Sequence, residues 1–275
     1  MRIYTLIEDE KLKNTGFLDE HGLSLYFEHG GKRILFDTGA SDAFVYNATL
    51  HGIDLNKIDA CIISHAHDDH IGGLEAFFGI NSHAKVYLKS AIRGDFYTKV
   101  LSKKERTSLD PAFFDKYAAR LHFFDDKIEV APGVTAASIR KFRRLPLYAS
   151  LMLEKKGDSF VSDTLEHELY VAIKEEDGVV VLTGCAHYGV LNILMTASED
   201  FGPIKGVVGG FHLSGAGKRS LLKEPESEIV ALAKYLESNK IKKVYTGHCT
   251  GKKPLDKLIL MSRTKKMSAG DILEI

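Results

Sequence analysis

The sequence predicts a mixed α/β (α+β) fold, because short apolar strands alternate with helical segments along most of the chain. Apolar runs of strand length recur in both halves of the chain. Several of them end directly in glycine-rich turns that carry histidine, aspartate or cysteine. Since no low-complexity tract or linker interrupts this pattern, we expect one domain over residues 1–275.

The first half opens with strands. Residues 23–28 alternate apolar and polar side chains, and a Gly30-Gly31 turn then joins them to the next strand as a hairpin. Helices are predicted over residues 43–52 and after Gly72-Gly73. The predicted strands of this half are residues 2–7, 23–28, 33–36, 60–64 and 84–88.

The middle of the chain has a different composition. From about residue 90 to residue 121 it is rich in Lys, Arg, Phe and Tyr, which favours helices and loops over sheet. Strand signals return around Pro132-Gly133, and a basic run around Phe142 follows. We interpret residues 90–146, approximately, as an insertion that could cover an active site.

The second half repeats the strand pattern. A helix is predicted from about Val190, and a regular apolar face predicts another over residues 226–238. The predicted strands are residues 169–173, 179–182, 205–208 and 243–245.

The composition excludes several classes of partner. Lys and Arg number 37, as do Asp and Glu, so no net charge favours nucleic acid, and a small-molecule substrate is expected. The acidic N-terminus is unlike a signal peptide, and no long apolar stretch predicts a membrane span. Three cysteines are too few for a disulfide framework, which favours a cytoplasmic protein. The oligomeric state does not follow from the sequence.

The densest chemical signal is the run from residue 65 to residue 70, which reads H-x-H-x-D-H. Two imidazoles that are two residues apart at a strand end point the same way and can hold one divalent ion. The aspartate and histidine that follow can hold a second ion. Without metal, one loop would hold several polar groups at once, and a protein core could not supply partners for all of them. The predicted ligands in this run are His65, His67, Asp69 and His70.

Three further histidines share this setting, since each follows an apolar strand and lies beside glycine or another small residue. Glycine lets the backbone turn sharply, so these side chains can converge on one point. They are His187, His212 and His248. For His212 a contact to substrate, or a supporting role behind the ligands, explains the position as well as metal binding does.

Asp37, Cys185 and Cys249 also lie at strand ends, and each has two readings. Asp37 precedes Thr38-Gly39, where it either caps the turn or orients a metal-bound imidazole. Cys185, two residues before His187, is either a small buried hydrophobe or a thiolate ligand. The same alternatives hold for Cys249.

These segments, in their order, resemble the metallo-β-lactamase superfamily over essentially the whole chain. The general match lies in Asp37-Thr38-Gly39, the run at residues 65–70 and Thr246-Gly247-His248. The segments TGCAHYGVLN (residues 183–192), GGFHL (209–213) and GHCTG (247–251) resemble a narrower group, the 7,8-dihydropterin-6-methyl-4-(β-D-ribofuranosyl)aminobenzene-5′-phosphate synthase-like proteins. The resemblance implies a four-layer αββα sandwich with metals at one edge between two sheets.

The resemblance also implies a set of metal ligands. The first ion would be held by His65, His67 and His187, and the second by Asp69, His70 and His248. Members with two metals usually have a bridging aspartate after the strand at residues 179–182, where this chain has Gly184-Cys185. Cys185 is therefore the bridge, or the bridge comes from elsewhere, or the second position is weak. His167 and Glu168 are alternatives to His187.

The expected function is that of a metal-dependent hydrolase with two divalent ions, either Zn²⁺ or, as alternatives, Fe or Mn. Such ions lower the pKa of water toward neutrality and so supply a nucleophile for a carbonyl or phosphoryl centre. Asp69 is the predicted catalytic residue, as a ligand or as the group that handles the proton. Arg143 and Arg144 could bind a phosphate or carboxylate, as on a pterin-ribose-phosphate-like substrate, or form a solvated basic face.

Two other functions remain open at this stage. A di-iron redox protein would need an electron carrier, and the chain has no room for a flavodoxin-like domain. A non-enzymatic metal or ligand sensor on the same fold would hold metal without turning over esters, lactones or phosphodiesters.

Overall fold

The computed structural model describes residues 1–100, 102–140, 142–214 and 223–275. Its strands are β1 Arg2–Ile7, β2 Ser24–His29, β3 Lys32–Phe36, β4 Ala60–Ile62, β5 Lys85–Lys89, β6 Phe96–Val100, β7 Lys103–Arg106, β8 Leu121–Phe124, β9 Lys127–Ala131, β10 Val134–Ala137, β11 Met152–Lys156, β12 Ser159–Ser162, β13 Tyr170–Glu175, β14 Gly178–Thr183, β15 Ile204–Gly210, β16 Lys243–Gly247, β17 Thr264–Lys266 and β18 Ile272–Glu274. Its α-helices are α1 Ala43–Leu50, α2 Asp68–Ile71, α3 Leu74–Ile80, α4 Pro111–Lys116, α5 Val190–Phe201, α6 Glu226–Ser238 and α7 Lys252–Met261.

Two seven-stranded sheets form the centre of the fold. The first has the order β18-β1-β2-β3-β4-β5-β8, antiparallel as far as β3 and parallel from β3 to β8. The second has the order β17-β16-β15-β14-β13-β10-β9, parallel from β17 to β14 and antiparallel beyond. Parallel strands in both sheets bring several carboxyl ends to one edge.

The two sheets face each other across an apolar core. Phe27 and Phe36 of the first sheet belong to the same buried cluster as Val171 and Leu182 of the second. Each of these side chains is fully buried. Burial of such a side chain contributes about 1.5–3 kcal/mol.

Helices cover the outer face of each sheet. Phe44 of α1 and Phe77 of α3 pack on the first sheet. Leu194 of α5, Leu232 of α6 and Leu258 of α7 pack on the second. The layers therefore follow the order helix, sheet, sheet, helix, which confirms the predicted αββα sandwich. Among the described helices, none is both long and apolar enough to cross a membrane.

Helix α6 spans the range that its periodicity predicts. Ile229, Leu232, Ala233 and Leu236 recur at helical spacing and are all buried against the second sheet. Acidic residues in its first turn, such as Glu226, suit the positive end of the helix dipole.

A third, four-stranded sheet corrects the prediction for residues 90–121. Strands β6 and β7 lie in a segment predicted as helices and loops, and they pair in the order β12-β11-β6-β7. Besides its neighbour β7, β6 pairs with β11, about fifty residues further along the chain, so no local pattern reveals the β6–β11 pairing. Strand β7 is exposed throughout and lacks an apolar face.

Candidate metal centre

Five strand ends meet at one edge of the two central sheets and bring the predicted metal-binding side chains together. From the first sheet come β3 and β4, and from the second come β14, β15 and β16. Left-handed backbone recurs here at residues other than glycine, with φ of 58° at Asp37, 42° at His212 and 45° at His248. Such backbone is costly for these residues and is typical of functional sites.

The first cluster is a triangle of three buried imidazoles. The ring centroids of His65 and His67 lie 4.7 Å apart, those of His65 and His187 4.8 Å, and those of His67 and His187 4.6 Å. Burial, together with the neighbouring imidazoles, lowers the pKa of each histidine, in the case of His67 to about 3. Neutral imidazole is the form that binds metal.

Two nitrogen atoms of this cluster lack hydrogen-bond partners in the described part of the chain. Among the described residues, Nε2 of His65 and Nδ1 of His187 are buried without a hydrogen bond. Oε1 of Glu168 is 3.4 Å from His187 Nδ1, too far for a good hydrogen bond. Burying a polar nitrogen without a partner costs free energy, and an ion ligated there would remove that cost.

The second cluster joins His70, His248, Asp69 and Cys185. Nε2 of His70 lies 3.1 Å from Nε2 of His248 and 3.2 Å from Sγ of Cys185. Oδ2 of Asp69 lies 3.4 Å from His70 Nε2 and 3.2 Å from His248 Nε2. A tetrahedral ion with bonds of ~2.0–2.3 Å separates its ligand atoms by roughly 3.3–3.8 Å. The four donor atoms are therefore close to the spacing that such an ion requires.

The second cluster lies in a negative electrostatic environment. Burial opposes a charge on His70, but Asp69 and Asp37 outweigh burial and raise the pKa of His70 to about 9. Burial likewise opposes a charge on His248, where Cys249, Asp69 and Asp9 together raise the pKa. Carboxylates around these two imidazoles thus favour positive charge at the centre.

Asp37, predicted either to cap its turn or to orient a metal-bound imidazole, lies behind the ligand candidates. Its Oδ2 is 2.7 Å from His70 Nδ1, and Oδ1 accepts the backbone N–H of Ser64 at 2.7 Å. The Ser64 hydroxyl donates to Asp37 Oδ2 at 2.7 Å and lies 2.7 Å from His65 Nδ1. One buried carboxylate therefore connects an imidazole of the first cluster to one of the second.

The N-terminal segment contributes side chains that the sequence analysis did not single out. Oδ1 of Asp9 lies 2.6 Å from His248 Nδ1, and Oδ2 lies 3.1 Å from His21 Nδ1. The carboxylate of Glu8 accepts the backbone N–H of His248. The only local signal was a pair of acids directly after the first strand.

The two alternatives to His187 have other partners. Nδ1 of His167 accepts the N–H of Ala66 at 3.2 Å, and Nε2 lies 2.9 Å from Asp163 Oδ2. The carboxylate of Glu168 accepts the backbone N–H of His187 at 2.7 Å and that of Tyr188 at 2.8 Å. Both side chains thus hold the loops that carry the first cluster, whereas Nδ1 of His187 has no hydrogen-bond partner among the described residues.

His212 and Cys249 lie beside the first cluster. The ring centroid of His212 is 4.6 Å from that of His187 and 4.1 Å from that of Tyr148. Sγ of Cys249, Sγ of Cys185 and a ring nitrogen of His212 all lie within 4.8 Å of one another.

Arg143 and Arg144 have carboxylate partners. Nη2 of Arg143 lies 3.1 Å from Glu228, and Nη2 of Arg144 lies 2.5 Å from Glu224. Both acids line the same cavity as the two arginines. Each guanidinium is therefore paired with a carboxylate of the same chain, and a role of the arginines in substrate affinity stays a prediction. Lys141 of the same run lies outside the described residues.

Residues of the middle segment lie against the site. The carbonyl oxygen of Thr107 accepts the N–H of Asp68 at 2.6 Å, and Ser108 forms a β-bridge with His67. The ring of Phe96 lies 4.3 Å from that of His167, between centroids. The loop that carries the H-x-H-x-D-H run is thus held on one side by this segment.

The sequence of this chain is similar to those of known proteins. The family model for the metallo-beta-lactamase superfamily matches residues 19–248. A 7,8-dihydropterin-6-methyl-4-(beta-D-ribofuranosyl)-aminobenzene-5′-phosphate synthase of Methanocaldococcus jannaschii is 32% identical, over 91% of this chain and 88% of that protein. An uncharacterized protein of the same archaeon is 26% identical, over 94% of this chain and 95% of its own length.

Solved structures show the same fold. A protein described as a metal-dependent hydrolase of the beta-lactamase superfamily has a TM-score of 0.83 at 28% identity, over 100% of this chain and 99% of the other. Zn²⁺-bound PqqB from Methylobacterium extorquens has a TM-score of 0.59 at 12% identity, over 100% of both chains.

Proposed function

This chain belongs to the metallo-beta-lactamase superfamily, and on that basis we propose that it is a metal-dependent hydrolase of a small, anionic substrate. The observation that carries the proposal is the second cluster. In this cluster, Nε2 of His70 lies within 3.1–3.4 Å of donor atoms of His248, Cys185 and Asp69, and Asp69 lies 3.2 Å from His248. Four metal-binding side chains, three of them buried, thus converge on one point at spacings close to those of ligands on a single tetrahedral ion.

The proposal assigns the ligands to two neighbouring positions. The first takes His65, His67 and His187, and the second takes Asp69, His70 and His248. Cys185 groups within 4.8 Å with His65 and His187, and also with the ligands of the second position. Its sulfur would then be a candidate donor to either ion, at the place where members with two metals usually have a bridging aspartate.

Two divalent ions held there would supply Lewis acidity and a water whose pKa is near neutrality. A mixed set of imidazole, thiolate and carboxylate suits Zn²⁺, with Fe and Mn as alternatives. Asp69 holds its carboxylate at the cluster, with a side chain 14% exposed, where it can bind and orient the reacting groups. Asp37 and Asp9 hold the imidazoles of His70 and His248 in fixed orientations.

The substrate in this proposal carries a phosphate or carboxylate, and a pterin-ribose-phosphate-like compound is the first candidate. The support is the relative named as a synthase of a ribofuranosyl aminobenzene phosphate. The aromatic rings of Tyr148 and His212 lie beside the first cluster with centroids 4.1 Å apart, where they could contact a flat ring of the substrate. We propose that the segment at about residues 90–146 covers the site.

The test is a substrate screen on metal-reconstituted protein. Elemental analysis is expected to find about two divalent ions per chain in this centre. The screen covers esters, lactones, phosphodiesters and pterin ribose phosphates, and the Asp69→Asn variant is the negative control. Failure to bind any transition metal would refute the proposal. Stoichiometric metal without turnover on any class would favour the sensor instead.

A further inference from the structure

Cys249 and His212 have no part in the proposed two-ion centre, although they lie directly beside it. Their strands, β16 and β15, are neighbours in the second sheet, and β14, which precedes Cys185, is next in order. We propose that Cys185, Cys249 and His212 form a third metal position, which takes a thiophilic divalent ion such as Zn²⁺. The proposal rests on the proposed function, because Cys185 is shared with the two-ion centre.

His212 is the first observation that points to a ligand. Its side chain is buried, with 5% of the residue exposed, and neither ring nitrogen has a hydrogen-bond partner among the described residues. A buried imidazole with two unsatisfied nitrogens is costly, and ligation to an ion would satisfy one of them. The ring is held between Tyr148 and His187, so its position is fixed before any ion binds.

The second observation concerns how Cys249 fits beside Cys185. A Cβ atom at Gly210 would stand 2.5 Å from Cys249 Sγ and 3.4 Å from Cys185 Cα. Only glycine therefore leaves room for the Cys249 thiol at this place. The Cys249 thiol donates its hydrogen to the carbonyl oxygen of Cys185 at 3.5 Å, which holds the sulfur beside Cys185.

The donor set determines the class of ion. Two cysteines and one histidine are a known zinc combination, in which the fourth position stays open for water or substrate. Thiolates select Zn²⁺ and similar soft ions over Mg²⁺ and Ca²⁺. A thiolate sulfur has several lone pairs, so Cys185 can contribute to this ion as well as to the neighbouring centre.

Metal stoichiometry and thiolate spectroscopy test the third position without any assay of activity. The wild-type protein and a Cys249→Ser variant are kept reduced, loaded with Zn²⁺ and freed of excess metal. Elemental analysis is expected to give about three ions per wild-type chain and about one fewer in the variant. With Cd²⁺, the thiolate charge-transfer absorbance is expected to fall by about half, since one of two thiolates is lost. Cys61→Ala, which removes a thiol buried in the core, is the matched control and should keep both values.

A second variant keeps the test valid if Cys249→Ser does not fold. His212→Asn removes the imidazole and should also lose about one ion, while both thiols remain. Two ions in the wild type and in both variants would overturn the third position and leave the proposed function standing. A single bound ion that is lost in the Cys249→Ser and His212→Asn variants but retained in His65→Ala would support the third position and contradict the two-ion centre.

Discussion

The imidazoles of the candidate centre are tied to oxygen atoms on the side away from the cluster. Asp37 holds His70, Asp9 holds His248 and Ser64 holds His65, in each case at Nδ1. An oxygen at Nδ1 fixes the tautomer, which leaves Nε2 as the atom that can bind an ion. These oxygen atoms therefore fix the orientation of the imidazoles before an ion binds.

The substitution Asp9→Asn tests whether Asp9 orients His248 for metal binding. The amide removes the charge that faces His248 Nδ1, so the affinity for the second ion should fall by about 10–100-fold. A Zn²⁺ titration against a competing chelator measures the change. Asp19→Asn is the control, because Asp19 pairs with Lys11 on the surface. Equal affinities of the two variants would mean that Asp9 does not support the ligand.

Asp69→Asn tests the catalytic residue. An amide binds a cation poorly and cannot take a proton, so turnover on a verified substrate should fall by roughly 10²-fold or more. The unfolding transition should remain cooperative. Asp68→Asn changes the exposed neighbouring residue and should keep most of the activity. Near wild-type turnover of Asp69→Asn would refute the assigned role.

Strand ends are the elements that position the site, and glycine allows two of them to approach. Gly209 of β15 has a φ of +133°, and a Cβ atom there would lie 1.9 Å from the carbonyl oxygen of Thr183 in β14. Because that atom belongs to the backbone, the two strands would have to separate. The close approach of these strands brings Cys185 and His212 together.

Gly209→Ala should therefore lower the free energy of unfolding by about 2 kcal/mol or more, from backbone strain and steric overlap together. Urea denaturation in the presence of a chelator measures this without a contribution from metal. Gly79→Ala lies in α3 with nothing within 4 Å of the added atom and should be neutral or stabilising. A similar loss in both variants would contradict the steric argument.

Helix α6 and the segment before residue 146 are joined by Arg143 and Glu228. If Arg143 binds an anionic substrate, as predicted, Arg143→Ala should raise KM for that substrate far more than it lowers kcat. Glu228→Gln frees the guanidinium and should not raise KM. Equal losses of stability in both variants, with KM unchanged for anionic and neutral substrates alike, would show that the pair only joins the two elements.

At the scale of the whole molecule, the centre lies where the two sheets meet. Its ligand candidates come from both sheets, with His65 after β4 and His187 after β14. An ion that binds both would connect the two halves of the sandwich. Because metal binds the folded chain more tightly than the unfolded chain, it adds to the free energy of unfolding.

Removal of metal should accordingly lower the unfolding midpoint. At a free ion concentration about 1,000 times Kd, one site contributes about 4 kcal/mol. Thermal unfolding with and without a chelator measures the difference. A His65→Ala, His67→Ala variant should show a smaller difference, since it lacks two ligands of the first position. An unchanged midpoint of the wild-type protein on chelation would contradict a metal centre.

The sequence by itself was enough to predict the mixed α/β class, most strands of the central sheets, helix α6 and the spacing of the H-x-H-x-D-H run. These features depend on neighbours within a few residues, because periodicity and turn chemistry are local. Local patterns also predict where the strands end, and this is how the sequence singled out His187, His212 and His248. The prediction of one domain over residues 1–275 stays a prediction.

Only the tertiary structure decided which of these side chains meet and which support them. The pairing of β6 with β11, the contact of Asp9 with His248 and the grouping of Cys249 with His212 each join residues far apart in the chain. It also gave His167 and Glu168 backbone partners, which no spacing reveals. Contacts of this kind depend on how whole layers pack, and the free energy of that packing is spread over the entire core rather than written in any one segment.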